Sequence, residues 1–213
     1  MVEIFNDGFE SGDFIAWDGT SGTVVVVNDP YQGAKAMESQ FDGDWKNYYC
    51  YTNAAVNETH VFCRWYFKTD TLPPNNNDYI VLMQCKNTGL ANIFEIQLYK
   101  TGDTMYLRLS SSVGGVTAYE YEFSTGKWYC LEWEYLQDAV AGVHRLWLDG
   151  TLACEQTGLD TSGHTFYRIM LGLSSANSGA CNVNHDCVVV ADARIGCEAA
   201  GQQLFTLINE MNY

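Results

Sequence analysis

The feature that most constrains this chain is a short-range alternation of apolar and polar residues, broken at regular intervals by turn signals. Ile93-Phe94-Glu95-Ile96-Gln97-Leu98-Tyr99 places Phe94, Ile96 and Leu98 on one side of an extended segment. Thr101-Gly102-Asp103 then turns the chain, and Met105-Tyr106-Leu107-Arg108-Leu109 returns with its apolar residues on the same side. Gly114-Gly115 and Asp149-Gly150 are further hairpin signals. Similar runs lie near 23–28, 34–41, 46–52, 59–68, 78–85, 116–123, 129–135, 145–148, 151–156, 165–173 and 187–195. There is no strand–helix–strand rhythm and no repeat at fixed period. The pattern predicts an all-β, antiparallel sandwich, a size of fold that 213 residues can fill as one domain over 1–200. Leu204, Phe205, Ile208 and Met211 have helical spacing instead, which predicts a short amphipathic C-terminal helix or tail over 201–213. A helix of that length is marginal alone and should dock on the sandwich or, by self-association, on a neighbouring chain.

Charge narrows the partners. Acids outnumber bases 26 to 11, for a formal net charge of −15. Such a surface repels nucleic acid, and no apolar run approaches the ~18 residues that insertion in a membrane needs. The first residues, Met1-Val2-Glu3-Ile4-Phe5-Asn6, carry no signal-peptide pattern. An even count of 8 cysteines nonetheless favours disulfides and an oxidising location. Extracellular space, a cell surface or a virion surface would each satisfy that. Cys181 and Cys187 bracket the polar stretch Asn182 to Asp186, which reads as a loop closed by a bridge between them. His185 beside two cysteines suggests zinc only weakly, because no second Cys or His lies at finger spacing.

Two stretches resemble a known family. Asp7-Gly8-Phe9-Glu10-Ser11-Gly12-Asp13-Phe14-Ile15-Ala16-Trp17-Asp18, followed by Gly33-Ala34-Lys35-Ala36-Met37, is similar to the opening of laminin-G-like jelly rolls. Gly126-Lys127-Trp128-Tyr129 and Leu146-Trp147-Leu148-Asp149-Gly150 resemble that family's Gly-x-Trp strand and apolar-Asp-Gly hairpin. Val188 to Ile195 looks like its closing strand. The resemblance implies a concanavalin A-like jelly-roll β-sandwich and specifies the fold better than the ligand. In such jelly rolls the opening and closing strands often share a calcium ion. Carried over, this implies Glu10 and Asp192 as ligands, with Asp7 a subsidiary third. The plainer reading makes Glu10 a turn acid and Asp192 an exposed strand acid.

The resemblance also implies a concave sheet face on which glycans lie. With Val61, Cys63, Trp65 and Phe67 inward, Arg64, Tyr66 and Lys68 point away from the core. The same alternation turns out Gln97 and Tyr99, then Arg108, then Glu132 and Glu134, then Arg145 and Trp147. Arg64, Tyr66, Gln97, Tyr99, Arg108, Glu132, Glu134 and Trp147 are therefore the candidate ligand-binding set. Rings stack on sugar faces, and forked polar groups orient hydroxyl or carboxyl groups. An ordinary polar sheet face alternates in the same way. Glu132 and Glu134 have roots about 6.6 Å apart, near the spacing a glycosidase uses. Arg64, Gln97 and Tyr99 could likewise serve a polysaccharide lyase. The Glu-x-Asp-x-Glu strand of related endoglucanases and the Gln-x-His strand of jelly-roll polysaccharide lyases are absent. The leading expectation is thus a non-catalytic recognition module for glycan or another surface ligand. A lyase or glycoside hydrolase on the same groove and a structural protein of a virion or envelope are the alternatives.

Overall fold

The computed structural model describes residues 1–41, 47–173 and 180–198. Among these residues there is no helix, and the strands form two antiparallel sheets packed face to face. The predicted C-terminal helix lies outside the described residues.

The first sheet runs in the order β13 (Thr151–Leu159), β12 (Gly142–Leu148), β11 (Tyr129–Leu136), β6 (His60–Thr69), β15 (Cys181–Ala191), β4 (Ala36–Phe41) and β3 (Val24–Val27). Strand β1 (Glu3–Asp7) also pairs with β15, continuing the edge that β4 begins. The second sheet runs β10 (Gly115–Glu120), β9 (Thr104–Ser111), β8 (Asn92–Thr101), β7 (Tyr79–Asn87), β14 (Phe166–Leu173), β5 (Tyr48–Thr52) and β2 (Gly19–Ser21). The β8–β9 and β11–β12 pairings follow from the alternation and its turns. At the β12–β13 corner Asp149 and Gly150 have φ of 47° and 81°, the two positive values of a type I′ turn. Asp149 also accepts the Cys130 amide at 2.9 Å, tying that turn to β11.

Period-2 side chains from both sheets meet in one core. Trp65 and Trp133 are fully buried there, and the Phe94 ring stands edge-on to Trp133 at 5.1 Å. Such a contact places β11 of the first sheet directly over β8 of the second.

Strand β15 departs from expectation. It is continuous through Asn182 to Asp186, where a loop was expected. Six residues of extended chain separate Cys181 from Cys187 by ~20 Å, whereas a disulfide needs Cα atoms within about 7 Å. The bridge between them is therefore corrected: Cys187 keeps a free thiol, and the disulfide joins Cys130 to Cys197, with Cα atoms 6.0 Å apart. The irregular point of β15 is a bulge between Asp186 and Val189, with Cys187 at φ 49°. A bulge re-aims side chains, and here it turns the Asp186 carboxylate under the segment at Tyr31 and Gln32.

Candidate functional site

The predicted ligand set does not converge. Arg64, Tyr66, Glu132, Glu134 and Trp147 stand on the outer side of the first sheet, on β6, β11 and β12. Gln97, Tyr99 and Arg108 stand on the outer side of the second sheet, on β8 and β9. The core separates the two groups, so the single groove is corrected to two opposite faces. The lyase trio fails for the same reason, because Arg64 is on the other side of the molecule from Gln97 and Tyr99.

The outer side of the first sheet is occupied by the protein's own chain. After β15, residues 192–198 cross back over β6 and β11 and are held by the Cys130–Cys197 disulfide. Glu132, 0% exposed, accepts the Ile195 amide at 2.6 Å and the Gly196 amide at 3.2 Å. Arg64, 1% exposed, pairs with Glu198 at 2.7 Å. The Tyr66 hydroxyl accepts the Glu198 amide at 2.7 Å and donates to its carbonyl at 3.1 Å. Burial pushes that phenol well above its ordinary pKa. One face of Tyr66 is stacked by Tyr31 at 3.8 Å, and Arg194 lies 4.5 Å over the Trp147 ring. Glu134 is held between His60 at 2.9 Å and Arg145 at 3.0 Å. Both glutamates are thus locked in place under covering groups, and the glycosidase spacing has no open site around it.

The outer side of the second sheet is different. Arg108 lies 4.1 Å over the Tyr99 ring and 5.8 Å from the Tyr79 ring. Its Nε donates to Gln97 Oε1 at 2.5 Å. Gln97 and Gln84 in turn donate to Glu95 Oε2 at 3.2 and 3.4 Å, while Asn92 donates to Glu95 Oε1 at 3.2 Å. Lys86 donates to Asn92, so an amide ladder crosses β9, β8 and β7. On β14, Arg168 lies 4.0 Å over the Tyr51 ring and donates from Nε to Asn53 at 2.9 Å. Burial pulls the Lys86 ammonium below its ordinary pKa, with Glu95 acting in the opposite direction. The amides of Gln84 and Gln97 are buried at the floor, whereas Tyr51, Tyr99, Arg108 and Arg168 stay partly exposed. Rings above a satisfied polar floor form a surface able to stack planar polar ligands. Arg168 and Lys86 reach this face past irregularities in β14, between Phe166 and Arg168, and in β7, between Val81 and Met83, so plain alternation from the core residues Phe166, Ile80 and Leu82 turns them inward and misses them.

The expected metal ligands do not meet either. Asp192 accepts the Val2 amide at 2.6 Å, at the start of β1. Glu10 lies past the other end of β1, where it accepts the Ala34 amide at 2.9 Å and the Lys35 amide at 3.0 Å. Five residues of strand, ~16 Å, lie between Val2 and Asp7. Asp7 is engaged by the Phe9 amide and Trp17 indole at 2.7 and 2.6 Å, and burial raises its pKa. Glu10 and Asp192 do not fit a shared calcium ion. The acid near Glu10 is Asp186, which accepts the Tyr31, Gln32 and Cys187 amides at 2.8, 3.0 and 2.6 Å. Burial lifts Asp186 to a pKa of about 6. Together these two carboxylates brace the segment that lays Tyr31 on Tyr66.

No protein-family model and no curated protein matches the chain. Solved structures do. A cellulose-induced protein, Cip1, superposes with a TM-score of 0.66 at 16% identity, covering 91% of this chain and 100% of its own. The catalytic domain of a glycoside hydrolase family 131 protein from Coprinopsis cinerea gives 0.60 at 14% identity, over 94% and 99%. The receptor-binding domain of botulinum neurotoxin type G gives 0.60 at 11%, with 97% of this chain covering 52% of that one. The chain has their jelly-roll β-sandwich fold. At these identities the likeness is one of fold alone.

Proposed function

We propose that this protein is a non-catalytic recognition module of the laminin-G-like kind that binds glycan on the outer side of the second sheet. The observation that carries the reading is the partly exposed tier of Tyr51, Tyr99, Arg108 and Arg168 above the amide ladder of Gln84, Gln97 and Glu95. Sugar rings stack on tyrosines, and hydroxyl groups find fixed donors and acceptors beside them. Glycoside-hydrolase and receptor-binding neighbours of the same fold support the glycan-binding part of this reading. Glu95 receives amide donors on both oxygens, which suits a scaffold role better than proton transfer. The Cys130–Cys197 disulfide supports work outside the cytosol, on a cell or particle surface.

Two single substitutions separate this reading from its rivals when run on a glycan array and by calorimetry. Truncating an anchoring ring commonly costs ~2 kcal/mol. Tyr99→Ala should therefore weaken glycan binding more than about tenfold with little change in melting. Trp147→Ala, under Arg194 on the other face, should lower the melting temperature and leave affinity almost unchanged. The reverse result would move the ligand to the first sheet. A blank array, or cleavage of any polysaccharide tested, would overturn the reading in favour of a structural protein or an enzyme respectively.

A further inference from the structure

Charge is distributed unequally between the two faces. On the first sheet every arginine is matched by a carboxylate: Arg64 by Glu198, Arg145 by Glu134 and Glu155, and Arg194 by Glu132. On the second sheet neither arginine is so matched among the described residues. Arg108 and Arg168 each give Nε to a neutral side-chain amide, Gln97 and Asn53, at 2.5 and 2.9 Å. Each guanidinium is also held flat against a tyrosine, at 4.1 Å over Tyr99 and 4.0 Å over Tyr51. Acids outnumber bases 26 to 11, yet among the described residues these two arginines have no carboxylate partner. The amides and rings fix their orientation, and among the described residues no carboxylate pairs with either charge and no acceptor takes up the Nη edges.

We propose, building on the glycan reading, that this face selects an anionic glycan, a polyuronate whose carboxylates dock on the Nη edges of Arg108 and Arg168. A guanidinium edge matches a planar carboxylate in a two-point contact, which an ammonium cannot reproduce. Stacking on Tyr99 and Tyr51 reduces the ordering each arginine needs on binding. Three strand spacings, ~14 Å, separate β9 from β14, and the register sets Arg108 level with Val81 and Arg168 level with Lys86, five residues or ~16 Å apart along β7, so one ligand reaching both must be a chain of several sugar units. Lys86, paired with Arg168 across β7 and β14, adds positive charge, and Glu95 on the same face has both carboxylate oxygens engaged by side-chain amides. Glu120, exposed on β10, borders the face and limits it on that side. The acidic remainder of the molecule repels a polyanion, which directs the polymer to this one face.

The test compares a polyuronate with its carboxyl-reduced, uncharged counterpart, and adds a sulfated neutral polysaccharide of similar length. The parent protein should bind the polyuronate at least tenfold more tightly than the reduced polymer, and the preference should shrink as salt rises. Arg108→Gln and Arg168→Gln should each remove most of that preference. Arg108→Lys should fail to restore it for the polyuronate. Full rescue by lysine, with the sulfated polymer binding as well as the polyuronate, would overturn carboxylate recognition in favour of plain charge attraction. Equal binding of charged and reduced polymers, still lost in Tyr99→Ala, would overturn the anionic preference and keep the glycan site. Failure of all three polymers to bind would overturn both.

Discussion

Replacing His185 with leucine should flatten the acid side of the stability profile without weakening the protein at neutral pH. His185 sits in β15 opposite Met37 and Phe67, is 0% exposed, and has no partner for either ring nitrogen among the described residues. Burial lowers its pKa to about 3, so the folded protein keeps it neutral where the unfolded chain, with the ordinary value near 6.5, takes up a proton. Its contribution is complete above pH ~6.5 and is lost at about 1.4 kcal/mol per pH unit as pH falls towards 3, roughly 5 kcal/mol in all. His144, lowered to about 4 by burial, acts in the same direction. Asp186 acts oppositely: raised to about 6, it takes its proton early in the folded state and adds stability as pH falls from about 6 to 3.8. Between pH 6 and 4 the three groups leave a net uptake of about one proton on unfolding. Urea titrations of parent and His185→Leu at pH 7, 6, 5 and 4 should therefore diverge by about 1.4 kcal/mol per unit below pH 6.5. All other ionisable groups are common to both proteins, so the difference isolates His185. Parallel profiles would mean that His185 is not held neutral in the fold.

Reduction of the Cys130–Cys197 bond should be nearly as costly. The two residues are 67 apart in sequence, and closing a loop of that length removes about 4 kcal/mol of unfolded-chain entropy. For a chain of this size that corresponds to a fall of about 10 °C in melting temperature. Melts with and without reductant, with intact mass confirming the two-hydrogen change, provide the measurement, and the Cys130→Ala/Cys197→Ala double variant should reproduce it. An unchanged melt after verified reduction would show that the non-covalent contacts, those of Glu132, Arg64 and Tyr66 among them, suffice to hold residues 192–198 in place.

The strands were legible because alternation encodes which side of a segment meets the core, and Phe94, Leu107, Trp133 and Leu146 all do so. Alternation does not encode which sheet a strand joins. The β8–β9 and β11–β12 hairpins look alike in sequence, yet they lie in opposite layers, and that split the predicted ligand set. Cover is equally silent. The run near 187–195 reads as one closing strand, but β15 ends at Ala191, and nothing in the sequence marked the residues after it as crossing over Glu132, Arg64 and Trp147. The cysteine pairing was missed because proximity in sequence favoured Cys181 and Cys187, whereas an extended strand holds such neighbours far apart. Asp186 was overlooked in favour of Asp192 because its orientation depends on a bulge, which is a property of the pairing and not of the residue.

The path of the chain after β15 also determines how the molecule would carry load. Cys197 is bonded covalently to β11, which is flanked on both sides by β12 and β6. A pull on whatever follows Glu198 therefore enters the sheet through the Cys130 sulfur, in its interior. It does not unzip β15 from β4, β1 and β6 one hydrogen bond at a time. The same bond directs that pull to the side of the sandwich away from Tyr99 and Arg108. The face proposed for the ligand would then stay in register while the molecule is held under tension from behind.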